Sequence, residues 1–418
     1  MTTSTPRVAI TGLGIVSPLG SGTTTFWNNL CAGTSGVGRL TRLDPTPYPR
    51  DLAAEVPDFD ELPEATDPAL AMLGRGIAYG AAAMRMALAD AGLPNRLADG
   101  NDCAVLVGST MGNQDVAEGI VDALDLDESF SLSHEQATGF RRFRPSLLAS
   151  SLDRRAGANG PAMTLLNACA AGNYAVTLGA ERIRSGLSGM AIVGGADPFT
   201  RTCYTIFHRL SASSATACRP FDGARDGIVV GEGAAFLVLE DMAAARARGA
   251  RIYAEVSGYC IVCDAYHATA PHPDGDGAVS AMKQAMSMAG VTPDGIDCIS
   301  AHGTATVAND LAEARGMHRI FGDLMPTVPI SAIKGALGHC MGAASAMEAV
   351  ACALSIHHQL VPPTLNTRAS DAGFPSTLDT VPGDARPARL RHVLSNAFAF
   401  GGNVASVVFS APDASRHH

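Results

Sequence analysis

Cys169 has the setting in this chain that best suits covalent chemistry. It stands in Thr164-Leu165-Leu166-Asn167-Ala168-Cys169-Ala170-Ala171-Gly172-Asn173-Tyr174. The apolar run 162–166 predicts a short buried strand, and Ala175, Leu178, Ala180 and Ile183 recur at helical spacing. Cys169 therefore falls at a strand-to-helix turn, among residues too small to cover it. The positive pole of a helix favours a thiolate there, which suits a nucleophile. Taken alone, a small buried core cysteine would read the same way.

Two further clusters carry imidazoles. Ser300-Ala301-His302-Gly303-Thr304-Ala305-Thr306 follows an apolar run and puts His302 at a strand end, where α/β enzymes place reactive side chains. Asn309, Asp310 and Glu313 follow at helical spacing and are placed to fix that loop. Ser331-Ala332-Ile333-Lys334-Gly335-Ala336-Leu337-Gly338-His339 sets Lys334 and His339 in a second Gly-rich turn, with Glu348 on the following helix as a partner for Lys334. No third ligand stands at metal-binding spacing from His302 and His339, so no metal is expected. In a fourth cluster, Ser395-Asn396-Ala397-Phe398-Ala399-Phe400-Gly401-Gly402-Asn403, the glycines permit a bend that exposes backbone N–H groups, as an oxyanion hole requires. A plain turn before the last strand is the competing reading.

The elements that must position these residues alternate. Strands are expected at 8–13, 103–107, 190–194, 234–240, 252–258, 298–301 and 406–410, with helices at 78–91, 278–289 and 342–356. This is an α/β pattern with no low-complexity linker, so two closely packed halves are expected. A length of 418 residues is too long for one ordinary core. The composition is 47% hydrophobic and 17% charged, with net charge −10, which disfavours a generic nucleic-acid binder. No apolar stretch is long enough to span a membrane, and the N-terminal residues lack an apolar signal core. Ten scattered cysteines include one lone C-x-x-C, Cys260 and Cys263, too little for a zinc site. A reduced, cytoplasmic protein is the simplest expectation. His417 and His418 resemble the remnant of a purification tag and are set aside.

Together the clusters resemble the β-ketoacyl-acyl-carrier-protein synthases of the elongating, Cys-His-His type, including type II polyketide ketosynthases. The resemblance runs nearly end to end. It takes in Val8-Ala9-Ile10-Thr11-Gly12-Leu13-Gly14, the Cys169 turn, Arg219-Pro220-Phe221-Asp222 with Arg225-Asp226-Gly227, and Gly231-Glu232-Gly233. It continues through Asp264-Ala265-Tyr266-His267, Pro271-His272-Pro273-Asp274-Gly275, the His302 and Lys334–His339 motifs, and Phe398-x-Phe400-Gly401-Gly402. It implies the thiolase fold: two similar halves, here 1–255 and 256–416, forming a five-layered α-β-α-β-α sandwich that is normally dimeric. It also implies roles. Cys169 would carry the acyl group. The N–H groups of Cys169 and Phe400 would form the oxyanion hole, with Phe400 also a gate. His302 and His339 would promote decarboxylation of malonyl-carrier protein. Lys334 with Glu348 would orient the histidines, and Met111 would lie at the acyl-pocket floor. No cofactor is implied. The implied partners are an acyl-carrier protein and a second subunit, either an identical copy or a chain-length-factor-like relative.

The chain departs from the family pattern in three places. Asn403-Val404 replaces the usual Thr-Asn, and Ala399 replaces the Gly before the gate, a change expected to stiffen it. Met72-Leu73-Gly74-Arg75-Gly76 holds one arginine where fatty-acid enzymes carry a basic helix for the carrier. Arg141, Arg142, Arg144 and Arg209 are the other candidate carrier contacts, although a solvated charge run is the blander reading of the first three. These shifts point to a specialised polyketide or polyene pathway. The rivals are a catalytically silent partner subunit, an acyltransferase or cyclase that does not elongate, a coenzyme-A thiolase, and a scaffold. Cys169 argues against the silent subunit. A thiolase would carry a second catalytic cysteine near the C-terminal Gly-rich turn, and none lies between Phe398 and Val408.

Overall fold

The structure is a computed structural model that describes residues 5–122, 139–369 and 371–414; His417, His418 and the first four residues lie outside them. Ten strands form its framework. They are β1 (Val8–Ser17), β2 (Ala104–Gly108), β3 (Ala162–Leu165), β4 (Met190–Asp197) and β5 (Gly233–Asp241), then β6 (Ala254–Cys263), β7 (Cys298–Ser300), β8 (Ile330–Ser331), β9 (His392–Ala399) and β10 (Asn403–Ser410). In the first half the strand order is β3-β2-β4-β5-β1, and in the second it is β8-β7-β9-β10-β6. These orders are the same. The pairing senses match as well: β2 is parallel to both of its neighbours and so is β7, while every other pair within a half is antiparallel. The halves meet where β1 pairs antiparallel with β6, Ala9 opposite Glu255 and Ile10 opposite Ala254.

The duplication extends to a local defect. β1 shifts register between Ile10 and Gly12, and β6 between Val256 and Gly258. A Cβ at Gly12 would come within 2.2 Å of the Ala87 carbonyl oxygen, and one at Gly258 within 2.2 Å of that of Ala285. At both bulges only glycine lets an alanine-rich outer helix lie this close to the sheet.

Helices fill the remaining layers. Arg75–Asp90 and Ser146–Ala156 cover the outer face of the first sheet, through Tyr79, Ala83 and Leu152 against Val105 and Phe236. Asp276–Ala289 and Val307–Phe321 cover the second, through Ala285 and Met317 against Ile299 and Leu394. Between the sheets lie Ala171–Arg184 and Ala344–His358, whose Val176 and Val350 share one core with Leu237 and Val407. Residues Ala344–Ile356 are all buried, as expected of a helix apolar around its whole circumference. The layers run α-β-α-β-α.

Three expectations need correction. The outer helix begins at Arg75 rather than Ala78, and the second inner helix at Ala344 after a 3-10 turn, Met341–Ala343. The strand before Cys169 is not buried: Ala162 and Met163 are exposed, Met163 by 45%. β3 is the outermost strand of its sheet, so one edge has no neighbour among the described residues. Among those residues, no helix is long and apolar enough to cross a membrane.

Candidate active site

Cys169 lies in a 3-10 turn, Ala168–Ala170, directly before the inner helix Ala171–Arg184. Ala168 takes φ 47°, a left-handed bend that turns the strand into the helix. The carbonyl of Cys169 accepts from Ser345 Oγ at 3.3 Å. The thiol is less open than its small neighbours imply. Cys169 is buried, which pushes its thiol up to about 12, with Lys334 as the main opposing influence. The resting group is therefore a thiol. The helix pole stabilises the thiolate as it forms during attack.

His302 follows β7. Its backbone N–H donates to Glu313 Oε1 at 2.8 Å and that of Gly303 to Oε2 at 2.9 Å, so a buried carboxyl grips the turn that carries the imidazole. Burial pushes the Glu313 carboxyl up to about 8. Asp310 holds the same loop by accepting from Ala305 N–H at 3.2 Å and from Phe221 N–H at 2.7 Å.

Lys334 Nζ reaches the His302 carbonyl oxygen at 2.7 Å and Nδ1 at 3.2 Å, and it is ion-paired with Glu348. An ammonium only donates, so His302 Nδ1 accepts and its proton resides on Nε2. His339 is fixed through its backbone, its N–H donating to Val229 O at 2.6 Å and its carbonyl accepting from Gly231 N–H at 2.9 Å. The two rings stand 5.5 Å apart and nearly perpendicular, at 85°. Burial, then the charge of Lys334, holds both imidazoles well below the usual 6.5, so both are neutral near pH 7. Burial pushes Glu348 up to about 7 against the pull of Lys334.

Phe400 opens the 3-10 turn Phe400–Gly402 between β9 and β10, in which Gly401 and Gly402 take φ 78° and 74°. Ala399 sits at φ −150°, extended backbone that any residue adopts, and it packs against the cluster of Ala170, Tyr174, Ala397 and Ala405. Cys169, His302, His339 and Phe400 line one cleft of about 240 Å³. On its wall Phe400 packs with Phe207, ring centroids 5.8 Å apart, and Met111, outside the lining, joins the same apolar cluster.

The candidate carrier contacts scatter. Arg209 is exposed and adjoins Leu210, which lines the cleft. Arg141 and Arg144 are exposed and Arg142 half-buried, on the segment around the short turn 140–143. Arg75 is engaged internally, its guanidinium 5.0 Å from the Phe59 ring and 5.1 Å from that of Tyr79. The corresponding carrier segment is instead apolar, with Met72 53% exposed. Among the described residues, no group of three or more His, Cys, Asp or Glu is arranged to hold a metal.

Two polar residues that the sequence did not single out as site residues matter here. Asp197, at the end of β4, accepts from the backbone N–H groups of Thr110 at 2.8 Å, Met111 at 3.1 Å and Gly342 at 2.6 Å. Asn403, known from sequence only as a departure, joins the Phe400 turn to the nucleophile turn. A charge closing a buried strand was the available signal for Asp197.

Residues 5–245 match the family model described as beta-ketoacyl synthase, N-terminal domain, and 253–368 the C-terminal domain. The chain belongs to the β-ketoacyl synthase family. It is a condensing acyltransferase of the thiolase fold. Polyketide beta-ketoacyl synthase 1 of Streptomyces cyaneus is 37% identical over 98% of this chain and 99% of its own. The 3-oxoacyl-[acyl-carrier-protein] synthase 2 of Staphylococcus aureus is 35% identical over 96% and 98%. A solved chain of the ishigamide ketosynthase/chain length factor superposes with TM-score 0.90 at 39% identity, covering 98% of this synthase and all of that chain. A ketosynthase structure solved with a type II PKS acyl-carrier protein superposes at 0.88 and 29% identity, covering 98% and 100%.

Proposed function

We propose that this synthase elongates an acyl chain held as a thioester on Cys169, using malonyl-acyl-carrier protein, in a specialised polyketide or fatty-acid-like pathway. The observation that carries the reading is the pair of neutral imidazoles, His302 and His339, in the cleft that Cys169 also lines, with Lys334 and Glu348 behind His302. The Cys169 sulfur attacks the acyl thioester and the carrier thiol leaves. Malonyl-carrier protein then enters and its carboxylate departs as carbon dioxide. The enolate left behind is stabilised by N–H donors of His302 and His339. It attacks the acyl-Cys169 carbonyl, whose oxygen takes the N–H groups of Cys169 and Phe400, and the cysteine sulfur is released. Each such donor is worth roughly 3 kcal/mol in the transition state. Charge develops only during reaction, so neutral donors serve better than a buried cation.

The reading includes an acyl-carrier partner, with Arg209 at the mouth as its first candidate contact. It also includes a second subunit, identical or chain-length-factor-like, against the open edge of β3. We keep the division into two halves, moving the expected boundary at 255/256 to just before Ala254 so that it does not cut β6, and we keep Met111 at the pocket floor. Action in the cytoplasm is supported by the cysteines, all free.

The test uses acyl-carrier proteins of several chain lengths, intact mass, and Cys169→Ala as control, followed by malonyl-carrier protein. An adduct absent from Cys169→Ala and discharged into a product two carbons longer is expected. An adduct that never elongates would instead establish transfer or cyclisation.

A further inference from the structure

Asn403 begins β10 and lines the cleft between the Phe400 turn and the nucleophile segment. Its Nδ2 donates to the Phe400 carbonyl oxygen at 2.8 Å. Its Oδ1 accepts from Asn167 Nδ2 at 3.2 Å and from Tyr174 Oη at 3.1 Å. Asn167 lies two residues before Cys169, and Tyr174 is on the helix that Cys169 leads into. A single carboxamide therefore spans the two segments whose N–H groups would face the same oxyanion. The glycines beside it have no side chain to hold them. A Cβ on Gly401 would sit 3.2 Å from Asn403 Nδ2, so the turn is shaped around that amide.

We propose that Asn403 is a positioning residue that sets the oxyanion hole, by holding the Phe400 turn in register with the Cys169 turn. This rests on the reading of Cys169 as the acyl carrier. The two steps of the reaction depend on it unequally. Acyl transfer to Cys169 passes through a tetrahedral oxyanion and needs both backbone donors. Decarboxylation of malonyl-carrier protein draws on His302 and His339, which Asn403 does not touch. Misplacing a donor by a fraction of an ångström to an ångström costs rate steeply.

The experiment compares wild type, Asn403→Ala, Asn403→Asp and Tyr174→Phe. It reads the rate of Cys169 acylation by intact mass and, separately, carbon dioxide release from malonyl-carrier protein on unacylated enzyme. Asn403→Asp keeps the acceptor oxygen for Asn167 and Tyr174 and turns the donor toward Phe400 into a second oxygen. Asn403→Ala and Asn403→Asp are expected to slow acylation by about 10- to 100-fold while decarboxylation stays within about 3-fold of wild type. Tyr174→Phe, which keeps the donor to Phe400, is expected to lose less. Wild-type acylation in Asn403→Asp, or equal losses in both steps, would overturn the proposal. A wild-type enzyme that takes no acyl group at Cys169 would overturn the condensing mechanism itself, before any variant is compared.

Discussion

In the first half the turn Ala168–Ala170 leads into an inner helix with Ala168 at φ 47°; in the second, Met341–Ala343 does so with Met341 at φ 50°. Gly342 stands where the first half has Cys169. The last residue of the fourth strand differs too. In the first half it is Asp197, whose carboxylate accepts the N–H of Gly342 and those of Thr110 and Met111. In the second half it is Ala399, which packs near Ala170 and leaves the space above Cys169 open as the cleft. The two turns thus share one donor position. In the second-half turn, the locked copy, the Gly342 N–H is taken by Asp197; in the first-half turn, the open copy, the Cys169 N–H is left for a substrate oxygen in the proposed mechanism. The other donors differ, because the residue that answers to Phe400 is Pro198, which has no N–H.

The sharpest way to break this comparison is to make the two turns alike. Cys169→Gly gives the first turn the glycine of the second. It is expected to abolish the acyl adduct entirely, read by intact mass, while leaving a folded protein in thermal unfolding. Residual acylation of that variant would mean another nucleophile. The reverse manipulation empties the locked copy. Asp197→Ala strands three backbone N–H groups in a fully buried site, each costing about 1–3 kcal/mol. A loss of roughly 3 kcal/mol or more is expected in denaturant unfolding. Asp197→Asn, which keeps one acceptor oxygen, should lose less. A stability change below about 1 kcal/mol in Asp197→Ala would show that the carboxylate is not what holds the second turn.

The sheet edges repeat the contrast. β8, at the end of the second half, is buried, and Ile330 N–H donates to the Asp379 carbonyl at 2.7 Å, so the chain covers its own edge. β3, its counterpart, is half exposed, and Leu166 beyond it is 52% exposed. An uncovered edge with apolar side chains is a place for another chain. Met163→Lys puts a charge on that edge. It is expected to weaken self-association, or pairing with a partner subunit, by at least about tenfold in sedimentation, taking roughly 1.4 kcal/mol as the cost of an unpaired charge at the contact. An unchanged association constant would move the interface elsewhere.

Much of this was legible in the sequence, and unevenly so. Strand ends bearing Cys169 and His302, and the Lys334–Glu348 pairing, followed from apolar periodicity and glycine placement. The duplication came only through the family resemblance and not from the residue pattern, because it resides in strand order and in bulges at Gly12 and Gly258, which share geometry without sharing side-chain identity. The burial of the Cys169 thiol was hidden for a related reason. Small flanking residues leave a thiol open only if nothing from a distant segment packs around it, and here second-half residues such as Ser345 crowd the turn, leaving Cys169 only the cleft. β3 misled because a strand of apolar residues reads as interior unless its sheet position is known. Asn403 registered as a departure, but two of its three partners, Asn167 and Tyr174, come from the nucleophile segment in the other half of the chain.

The charge asymmetry of the open copy sets a pH test. His302 and His339 are both held well below 6.5 by burial and by Lys334. A lowered pKa means that protonation, and loss of the neutral form, comes only further down in pH. The imidazoles are therefore expected to add no acid limb to decarboxylation of malonyl-carrier protein between pH 8 and about 6, past the midpoint of a free imidazole, so that any change in that window reports Glu348 or Glu313, pushed up to about 7 and about 8. Lys334→Met removes a charge that opposes protonation of both rings, so their acid limb should move to higher pH. A wild-type imidazole limb centred at 6.5 would contradict the buried, neutral pair.

The smallest expected effect concerns Ala399, the residue at the end of β9 that answers to Asp197. Its φ of −150° makes no demand for glycine, so its methyl group is tolerated without strain. What the methyl adds is packing against the small cluster that holds Ala170, Tyr174, Ala397 and Ala405. Ala399→Gly removes that packing and frees the backbone just before the gate. It is expected to cost about 0.5–1 kcal/mol of stability. Its effect on acylation should be less than that of Asn403→Asp, because the amide of Asn403 still ties the turn in place. If Ala399→Gly instead slowed acylation as much as Asn403→Asp, the turn would be held by packing rather than by the carboxamide. The open copy would then resemble the locked one less than its hydrogen bonds indicate.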